Sequence, residues 1–458
     1  METTGSVWTS LWTSAPLRSY DRRSGDRYLH KRWNRISLLS YPSVLWAKLR
    51  RACSYSAWPV LAPLARRRRK HLKDSVSVVA VVGSFGKTTA ARTIGAVLDC
   101  STVSGRNSWS FLALGILGLG RDAKSAVFEV AIARRGQMCH YARLLRPDVT
   151  VVTSIGSEHL LSMKNLEGVR QEKSVMVAVM DSDGLVLLNG DDPNVLWMRD
   201  RTKAKVVTFG FGEENDIRAR GYKVNWPHGT QFKLHTVTGA WDVDLPLIGR
   251  PMVYSALAAA AVGISQGIEV ETILERLGGL QPAPGRMEPT LLSSGAWALR
   301  DDHKSGIETI QTAIRTLAEI DAPRRIAVLG DITEEMGSVR AIYRDLGDEL
   351  GQIADLLLLT GRHARSVAVG ARRAGMAAEA VIDCGKNIFK ATEILESYLL
   401  PGDVLLLKGR YEQRLRRIAL ALAGKTVNCR LSQCDVKGLH CETCPALAKG
   451  WPSNLTEI

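Results

Sequence analysis

A glycine-rich segment that begins at residue 83 has the residue types needed to bind phosphate. It consists of Gly83, Ser84, Phe85, Gly86, Lys87, Thr88 and Thr89. In such a turn the backbone N–H groups, the positive end of the following helix and the lysine ammonium face a polyphosphate, and the Thr88 hydroxyl is placed to bind Mg²⁺. The alternative is a structural turn whose Gly and Lys are incidental. The segment favours a nucleotide site, although Val81 replaces the first glycine of the full Walker pattern.

The stretches around this segment alternate between short β-branched runs and helical patterns. An amphipathic helix is predicted from the phosphate segment to Leu98. Strands are predicted at 76–82, 125–130, 149–153, 184–188 and 206–209, then at 296–300, 325–329, 356–359 and 404–407. Strands that alternate with helices predict an α/β fold with mostly parallel sheets. Pro284 and Gly285 mark the expected boundary between the two series.

Seven further motifs follow in an order that resembles the Mur ligase family. They are Phe128-Glu129-Val130, Thr153 to His159, Gln171-Glu172-Lys173, Asn189 to Asp192, Pro284 to Glu288, Leu329 to Gly337, and Gly402 to Gly409. With the phosphate segment they cover about 330 residues. Several of them follow the carboxyl end of a predicted strand, which is where an open α/β sheet binds ligands. The chain resembles most the D-alanyl-D-alanine-adding branch. The resemblance implies a central P-loop-type, mostly parallel sheet domain followed by a Rossmann-like C-terminal domain.

The resemblance also implies an ATP-dependent amide ligase with two Mg²⁺ sites. Lys87 and Mg²⁺ would neutralise the γ-phosphate while it is transferred to a substrate carboxylate, which gives an acyl phosphate. Thr88 and Glu129 would hold the first Mg²⁺. His159 and a carbamylated Lys173 would hold the second, because a carbamate turns a lysine into a hard oxygen ligand. The amine of an amino acid or dipeptide would then displace phosphate.

Three residues near the domain boundary are implied to complete the nucleotide site. Arg286, Asp302 and Lys304 resemble the family's interdomain residues, which reach the nucleotide when the C-terminal domain closes. Closure would exclude water and protect the acyl phosphate. The alternative for the pair at 301–302 is a solvated turn.

Several segments depart from the family pattern. Pro251, Met252 and Ser255 replace the usual His-Asn and Asn, which weakens the case for ordinary adenine recognition. The Tyr-Asn-Ala-Asn-Pro run of the D-alanyl-D-alanine-adding branch is missing after Asp302, and only a short basic segment precedes the phosphate turn where the wall ligases have a uridine-nucleotide domain. The carboxylate acceptor and the amine therefore stay open. A non-murein γ-glutamyl-type ligase and a nucleotide-binding scaffold without turnover are the alternatives.

The positive charge of the chain lies at one end. The 458 residues have a formal net charge of +15, and residues 1–73 supply +13 of it through sixteen Lys or Arg and three acidic residues. Five of the eleven Trp lie in this segment: Trp8, Trp12, Trp33, Trp46 and Trp58. Aromatic rings beside cations suit the headgroup region of an anionic membrane, and the composition equally fits a solvated extension. A nucleic-acid arm fits less well.

The rest of the composition is that of an ordinary soluble globular protein. Hydrophobic residues make up 45% and charged residues 23%, and no run of 18 uncharged apolar residues occurs, which excludes a multispan membrane protein. We find no apolar signal region at the start and no disulfide-dense pattern. These features predict a cytoplasmic protein, either free or peripheral at the inner membrane face.

Four cysteines lie close together near the end of the chain: Cys429, Cys434, Cys441 and Cys444. Four thiolates that include a Cys-x-x-Cys pair fit a tetrahedral structural Zn²⁺ site, and the alternative is a reduced or redox-labile thiol tail. The sequence thus predicts four regions. They are a basic Trp-rich extension (1–73), a central ATP-binding domain (74–285), a C-terminal domain (286–425) and a Cys-rich tail (426–458).

Overall fold

The computed structural model describes residues 57–104, 107–333, 337–436 and 440–450. Residues 334–336 of one predicted motif lie outside these ranges, as does most of the predicted basic extension with Trp8, Trp12, Trp33 and Trp46. Among the described residues, no helix has both the length and the apolar character needed to cross a bilayer.

The first sheet has nine strands and follows the predicted parallel pattern over most of its width. The strands are β1 (Ser77–Val82), β2 (Ser101–Val103), β3 (Ser125–Glu129), β4 (Val149–Val152), β5 (Leu185–Asn189), β6 (Lys205–Gly210), β7 (Ile217–Asn225), β8 (Gly229–His235) and β9 (Ala240–Leu245). Their order is β2-β3-β1-β4-β5-β6-β7-β8-β9. Neighbours from β2 to β7 are parallel, whereas β7, β8 and β9 pair antiparallel.

Helices cover both faces of this sheet. They are α1 (Trp58–His71), α2 (Lys87–Val97), α3 (Ser110–Leu117), α4 (Gln137–Leu145), α5 (Leu160–Met163), α6 (Leu166–Ala178), α7 (Pro193–Leu196), α8 (Arg250–Ser265) and α9 (Val270–Gly278). Side chains of a strand alternate between its faces, so Val79 and Val81 of β1 join the core under α2 and α8, while Val78 and Val82 join the core under α3, α4 and α6. Burial on both faces explains why β1 is an unbroken apolar run.

The second sheet has six strands and lies after the predicted boundary. Its strands are β10 (Glu288–Leu291), β11 (Trp297–Asp301), β12 (Arg325–Leu329), β13 (Leu356–Leu359), β14 (Val381–Asp383) and β15 (Val404–Lys408), in the order β10-β11-β15-β12-β13-β14. Only the pair β10–β11 is antiparallel. The helices are α10 (Ile307–Glu319), α11 (Val339–Gly351), α12 (Ala364–Arg373), α13 (Ile388–Tyr398), α14 (Arg416–Leu422) and α15 (Ala446–Lys449).

The predicted fold class is confirmed. Six strands were not predicted: β2, β7, β8 and β9 of the first sheet and β10 and β14 of the second. Each predicted strand is present within about two residues of its expected position. The antiparallel strands β7, β8 and β9 escaped detection because their exposed residues alternate with buried ones, so they contain no continuous apolar run. The two sheets fall on either side of residues 284–285, while the division into four regions stays a prediction.

Helix α1 shows how the last part of the predicted basic extension joins the folded body. Arg69 is 1% exposed, and its guanidinium donates to the carbonyl oxygens of Leu145 (2.8 Å) and Arg146 (2.7 Å) and to Asp148 Oδ2 (2.7 Å). The same carboxylate oxygen accepts the backbone N–H of Val78 in β1 (2.7 Å). Residues 58–71 are therefore tied to the first sheet by an ion pair whose arginine is buried and whose carboxylate is partly exposed.

Candidate active site

The phosphate segment forms a tight turn between β1 and α2, at the carboxyl edge of the first sheet. Ser154, which follows β4, accepts two hydrogen bonds from the turn. Ser84 N donates to Ser154 O (2.8 Å), and Phe85 N donates to Ser154 Oγ (2.8 Å). Gly83 has a φ of 148°, and a Cβ at this position would lie 2.1 Å from Thr153 Oγ1. Only glycine fits here, because any side chain would push the turn away from β4.

Two buried lysines direct their ammonium groups at this turn: Lys87, which was predicted in the phosphate segment, and Lys173, which was predicted as a carbamylated metal ligand. Lys87 Nζ donates to the carbonyl oxygens of Gly83 (2.8 Å) and Ser84 (2.7 Å). Lys173 in α6 donates to the same Gly83 oxygen (2.6 Å) and to Ser84 Oγ (3.0 Å). A residue 90 positions from the turn thus shares an acceptor with its lysine, which brings these two predicted site residues together.

Glu158 is the acidic partner of this cluster and was not among the predicted site residues. Its carboxylate accepts from Lys87 Nζ (3.0 Å) and from Lys304 Nζ (2.5 Å). Lys304 lies between β11 and α10, in the part of the chain that forms the second sheet and its helices, here called the second unit. Burial alone would raise the pKa of Glu158, but Lys87, Lys304 and Lys173 hold this pKa well below its usual value. The sequence feature that could have identified Glu158 is its position next to His159, in a turn that follows a predicted strand.

Glu129 and Thr88, the predicted ligands of the first Mg²⁺, lie on the same edge of the sheet. Glu129 is buried at the end of β3, and its Oε1 accepts from Asn107 Nδ2 (2.7 Å), a residue that sequence reasoning missed. Arg286 donates from Nη2 to Thr88 Oγ1 (3.3 Å). Burial lowers the pKa of Arg286, and the charge of Glu129 opposes this shift. Carboxylate and hydroxyl oxygens are the donors that Mg²⁺ prefers, so these residues fit the ion.

His159, the predicted second-metal residue, lies at the margin of the lysine cluster. It has a φ of 68° directly before α5, and its Nε2 is 3.9 Å from Glu158 Oε1. Within the described ranges, no group of three or more His, Cys, Asp or Glu side chains is arranged as a metal site. The metal roles of His159 and Lys173 therefore stay predictions.

The second unit contacts the phosphate turn through α10 as well as through Lys304. Glu308 in the first turn of α10 accepts from Ser157 N on one carboxylate oxygen and from Ser157 Oγ on the other, both at 2.7 Å. The Phe85 ring lies against Gly156 and Gly306, where added Cβ atoms would approach it to 2.4 and 3.2 Å. Phe85 and Glu308 thus hold the two units in contact beside the phosphate turn.

Asp302 does not join the nucleotide cluster as the resemblance implied. Its side chain is fully buried, and Oδ2 accepts from Arg416 N (3.0 Å) and Arg416 Nε (3.3 Å). A solvated turn is excluded by the same burial. Asp301 faces Lys408 instead, whose Nζ contacts its carboxylate and the backbone oxygen of Lys304 (2.8 Å). The neighbouring acid therefore supports the loop that carries Lys304.

The predicted Asn189–Asp192 turn is a hydrogen-bonded junction between the ends of β4, β5 and β6. Asn189 Nδ2 donates to Thr153 O (2.9 Å), which links this turn to the phosphate-loop support. Asp191 accepts from Phe211 N (2.6 Å), Gly212 N (2.9 Å) and the hydroxyl of Tyr254 (2.8 Å). Tyr254 belongs to the segment that departs from the family pattern, and its hydroxyl joins that segment to the Asn189–Asp192 turn.

The four tail cysteines line one small cavity of about 20 Å³, together with Arg414, Arg417 and Leu447. All four are free thiols. Burial raises the pKa of the Cys441 thiol to about 11, and the charges of Arg414, Arg416 and Arg417 oppose this shift. As the side chains stand, they do not form a metal site in the described part of the tail, so the predicted Zn²⁺ is not supported by their positions.

Comparisons with known proteins agree with the order of these motifs. Residues 81–263 match the Mur ligase middle domain, and residues 285–411 match the Mur ligase glutamate ligase domain. The UDP-N-acetylmuramoyl-tripeptide--D-alanyl-D-alanine ligase of Escherichia coli K12 is 31% identical over 303 residues, which are 64% of this chain and 67% of that protein. The Mycobacterium tuberculosis H37Rv enzyme of the same name is 28% identical over 411 residues, 83% of this chain and 80% of its own length.

Solved structures have the same fold. MurF from Thermotoga maritima in complex with ADP has a TM-score of 0.71 at 22% identity, and covers 81% of this chain and 84% of its own. MurF from Acinetobacter baumannii has a TM-score of 0.71 at 23% identity, with 80% of each chain covered. The two domain matches and the Escherichia coli relative show that this chain belongs to the Mur ligase family of ATP-dependent ligases.

Proposed function

We propose that this chain joins an amine to a carboxylate that it first activates as an acyl phosphate. The observation that carries the proposal is the convergence of Lys87, Lys173 and Lys304 on one turn and one carboxylate, that of Glu158. The buried Lys87 ammonium and the half-exposed Lys304 ammonium suit the negative charge of a transferring phosphoryl group, and Lys173 lies at the same turn, where its carbamate would hold a metal ion. A scaffold that only binds nucleotide would not need Lys173 there.

The proposed reaction has two steps. A substrate carboxylate oxygen attacks the γ-phosphorus of ATP, and the bond to the β-phosphate oxygen breaks to release ADP. The amine then attacks the acyl carbon, loses a proton and displaces inorganic phosphate. Lys87 stabilises the charge on the phosphoryl oxygens, and the contact of Ser157 with Glu308 keeps water from the acyl phosphate by holding the units together.

The residues around the turn are also proposed to hold Mg²⁺. Thr88 and Glu129 would hold one ion, and His159 with a carbamylated Lys173 would hold a second. The bound ions would neutralise charge on the phosphates. Arg286 positions the Thr88 hydroxyl through their hydrogen bond and links this part of the site to the start of the second unit.

The proposed substrates follow from the relatives. The curated relatives quoted above are named for a UDP-N-acetylmuramoyl tripeptide and D-alanyl-D-alanine, so the proposed acceptor is a muramoyl-peptide carboxylate and the proposed amine a D-alanyl dipeptide. The match spans 67% of the Escherichia coli protein and 63% of the Bacillus subtilis one. A γ-glutamyl-type acceptor is the second candidate, and substrate pools that contain each acceptor separate the two.

We propose that the reaction takes place in the cytoplasm, where ATP is available. Contact of the basic segment with an anionic membrane stays a prediction. Its described part offers one supporting observation, since Val60 and Leu64 are exposed on the same helix as the cations of residues 66–70.

The deciding experiment measures phosphate release from ATP and Mg²⁺ with pooled acceptors and amines. We expect release to require both substrates, and Lys87→Ala and Lys173→Ala each to lower it by about 100-fold or more. Lys203→Ala is the matched control, because this lysine is exposed and lies away from the turn. ATP binding without substrate-dependent release in the wild type would overturn the proposal and favour the scaffold.

A further inference from the structure

We propose that Cys429, Cys434, Cys441 and Cys444 form a tetrathiolate site for one Zn²⁺, a structural centre separate from the ligase reaction. The four thiols come from three short segments that meet around one cavity. A closed site of four sulfur ligands is the usual form of structural zinc in proteins. The proposal does not depend on which substrates the ligase uses.

Backbone hydrogen bonds fix the segments that carry these cysteines. The N–H groups of Asn428 and Cys429 both donate to Leu447 O (2.7 and 3.1 Å), and Cys434 N donates to Glu412 O (2.7 Å). Cys444 N donates to Cys441 O (3.1 Å), which closes a one-turn 3₁₀ helix between the last two thiols. Backbone hydrogen bonds, and not side-chain positions alone, therefore bring the four cysteines to one cavity.

The electrostatic surroundings of the cavity favour an anionic occupant. Arg417 is 1% exposed, and its guanidinium donates to Cys429 O (2.8 Å), Leu431 O (2.7 Å) and Cys429 Sγ (3.4 Å). Among the described residues, none of the contacts that the structure gives Arg417 is with a carboxylate. A buried cation without an anion is costly. Neighbouring Arg416, by contrast, pairs with Asp302 and Glu442.

A zinc tetrathiolate supplies the anion that Arg417 lacks. When Zn²⁺ binds, four S–H bonds break, four Zn–S bonds form and four protons leave to solvent, so the centre carries a net charge of −2. The cavity of about 20 Å³ has room for one ion. Rotation about χ1 is the freedom that lets a cysteine thiol approach a bound ion.

The test measures metal in the full-length chain purified without chelators from zinc-supplemented cells. We expect about one zinc per chain by elemental analysis. Cobalt(II) added to the metal-free protein should produce the intense absorption of sulfur-to-cobalt charge transfer. Cys441→Ser and Cys444→Ser should lose both signals, whereas Cys139→Ser and Cys384→Ser, which change thiols outside the cavity, should keep both.

A second variant tests the charge argument. Arg417→Met should weaken zinc retention against a competing chelator by about tenfold or more, and Arg417→Lys should retain more affinity because it keeps the cation. The proposal is overturned if the wild type takes up neither zinc nor cobalt, if zinc persists in Cys441→Ser, or if mass analysis finds these cysteines joined as disulfides. The cobalt titration of the wild type decides the matter even if the variants do not fold.

Discussion

The ammonium of Lys87 lies 3.0 Å from a carboxylate oxygen of Glu158. The other oxygen of that carboxylate is 2.5 Å from Lys304 Nζ, so one acidic side chain connects the phosphate turn to the second unit. The lysines come from segments more than 200 residues apart in the chain. Glu158 is thus both the local counter-charge of the phosphate turn and a link across the two units.

Replacement of Glu158 should change the acid sensitivity of the protein. The folded-state pKa of Glu158 lies well below the ordinary value of 4.5, so the stability that it contributes is present above about pH 4.5 and is lost as the pH falls toward the folded pKa. Glu158→Gln should lower the free energy of unfolding at pH 7 by about 3 kcal/mol, because it leaves buried lysines without an anion. Below pH 4.5 its stability should fall less steeply than that of the wild type.

Urea unfolding at several pH values measures this difference. Glu167→Gln is the control, since Glu167 forms an exposed pair with Arg170 and its loss should change stability by under about 1 kcal/mol. Parallel stability curves for wild type and Glu158→Gln would contradict the prediction.

The phosphate turn should not tolerate a side chain at residue 83. Gly83→Ala places a Cβ 2.1 Å from Thr153 Oγ1 at a φ of 148°, so we expect a loss of about 2 kcal/mol of unfolding free energy and much weaker ATP binding. Calorimetric titration with ATP and urea unfolding check both effects. Gly120→Ala is the matched control because a Cβ there meets nothing within 4 Å. Equal behaviour of the two variants would show that the turn has room to move.

The contact between Ser157 and Glu308 should protect the activated intermediate. Glu308→Gln keeps the size of the side chain but weakens the two hydrogen bonds from Ser157, so water should reach the acyl phosphate more often. We expect the ratio of phosphate released to amide formed to rise above one. Parallel assays of phosphate and product measure this ratio. Glu396→Gln, an exposed change on α13, should keep the ratio at one, and the same ratio in both variants would exclude the role given to Glu308.

The ion pair of α1, with its buried arginine, should contribute to stability. Arg69→Met removes the cation from Asp148 and from two carbonyl oxygens, and we expect a loss of about 2 kcal/mol of unfolding free energy, because the carboxylate left behind is partly exposed. Arg67→Met serves as control because Arg67 is exposed on the same helix. If both variants unfold at the same urea concentration, α1 adds little to the stability of the first sheet.

Local sequence signals were sufficient for the framework of this fold. The Val-rich run of β1 and the glycine turn after it identify a buried strand that ends in a phosphate site, because burial on both faces requires an unbroken apolar run. Lys87 and Lys173 were predicted, and they meet at Gly83. The alternating strands β7 to β9 were missed because half of their side chains face solvent.

The errors at the site concern contacts between distant segments. Glu308 lies 151 residues from Ser157, and no local pattern indicates that the two will meet. Asp302 was placed at the nucleotide by analogy, yet Arg416, 114 residues further on, holds its carboxylate in the interior. Sequence spacing predicts which residues follow a strand. Tertiary packing determines that Asp301 contacts Lys408 and that Asp302 is held in the interior by Arg416.

The saturated ammonium of Lys87 has a consequence for ligand selection. Its three N–H donors already have three acceptors: Gly83 O, Ser84 O and Glu158 Oε2. A phosphate can engage this lysine only by exchange, and Glu158 is the acceptor that can swing aside because the other two belong to the backbone. When a phosphate ligand binds Lys87, it therefore replaces the Glu158 carboxylate. This exchange favours ligands with several adjacent phosphates, because a monophosphate makes too few contacts to compensate for the displaced carboxylate.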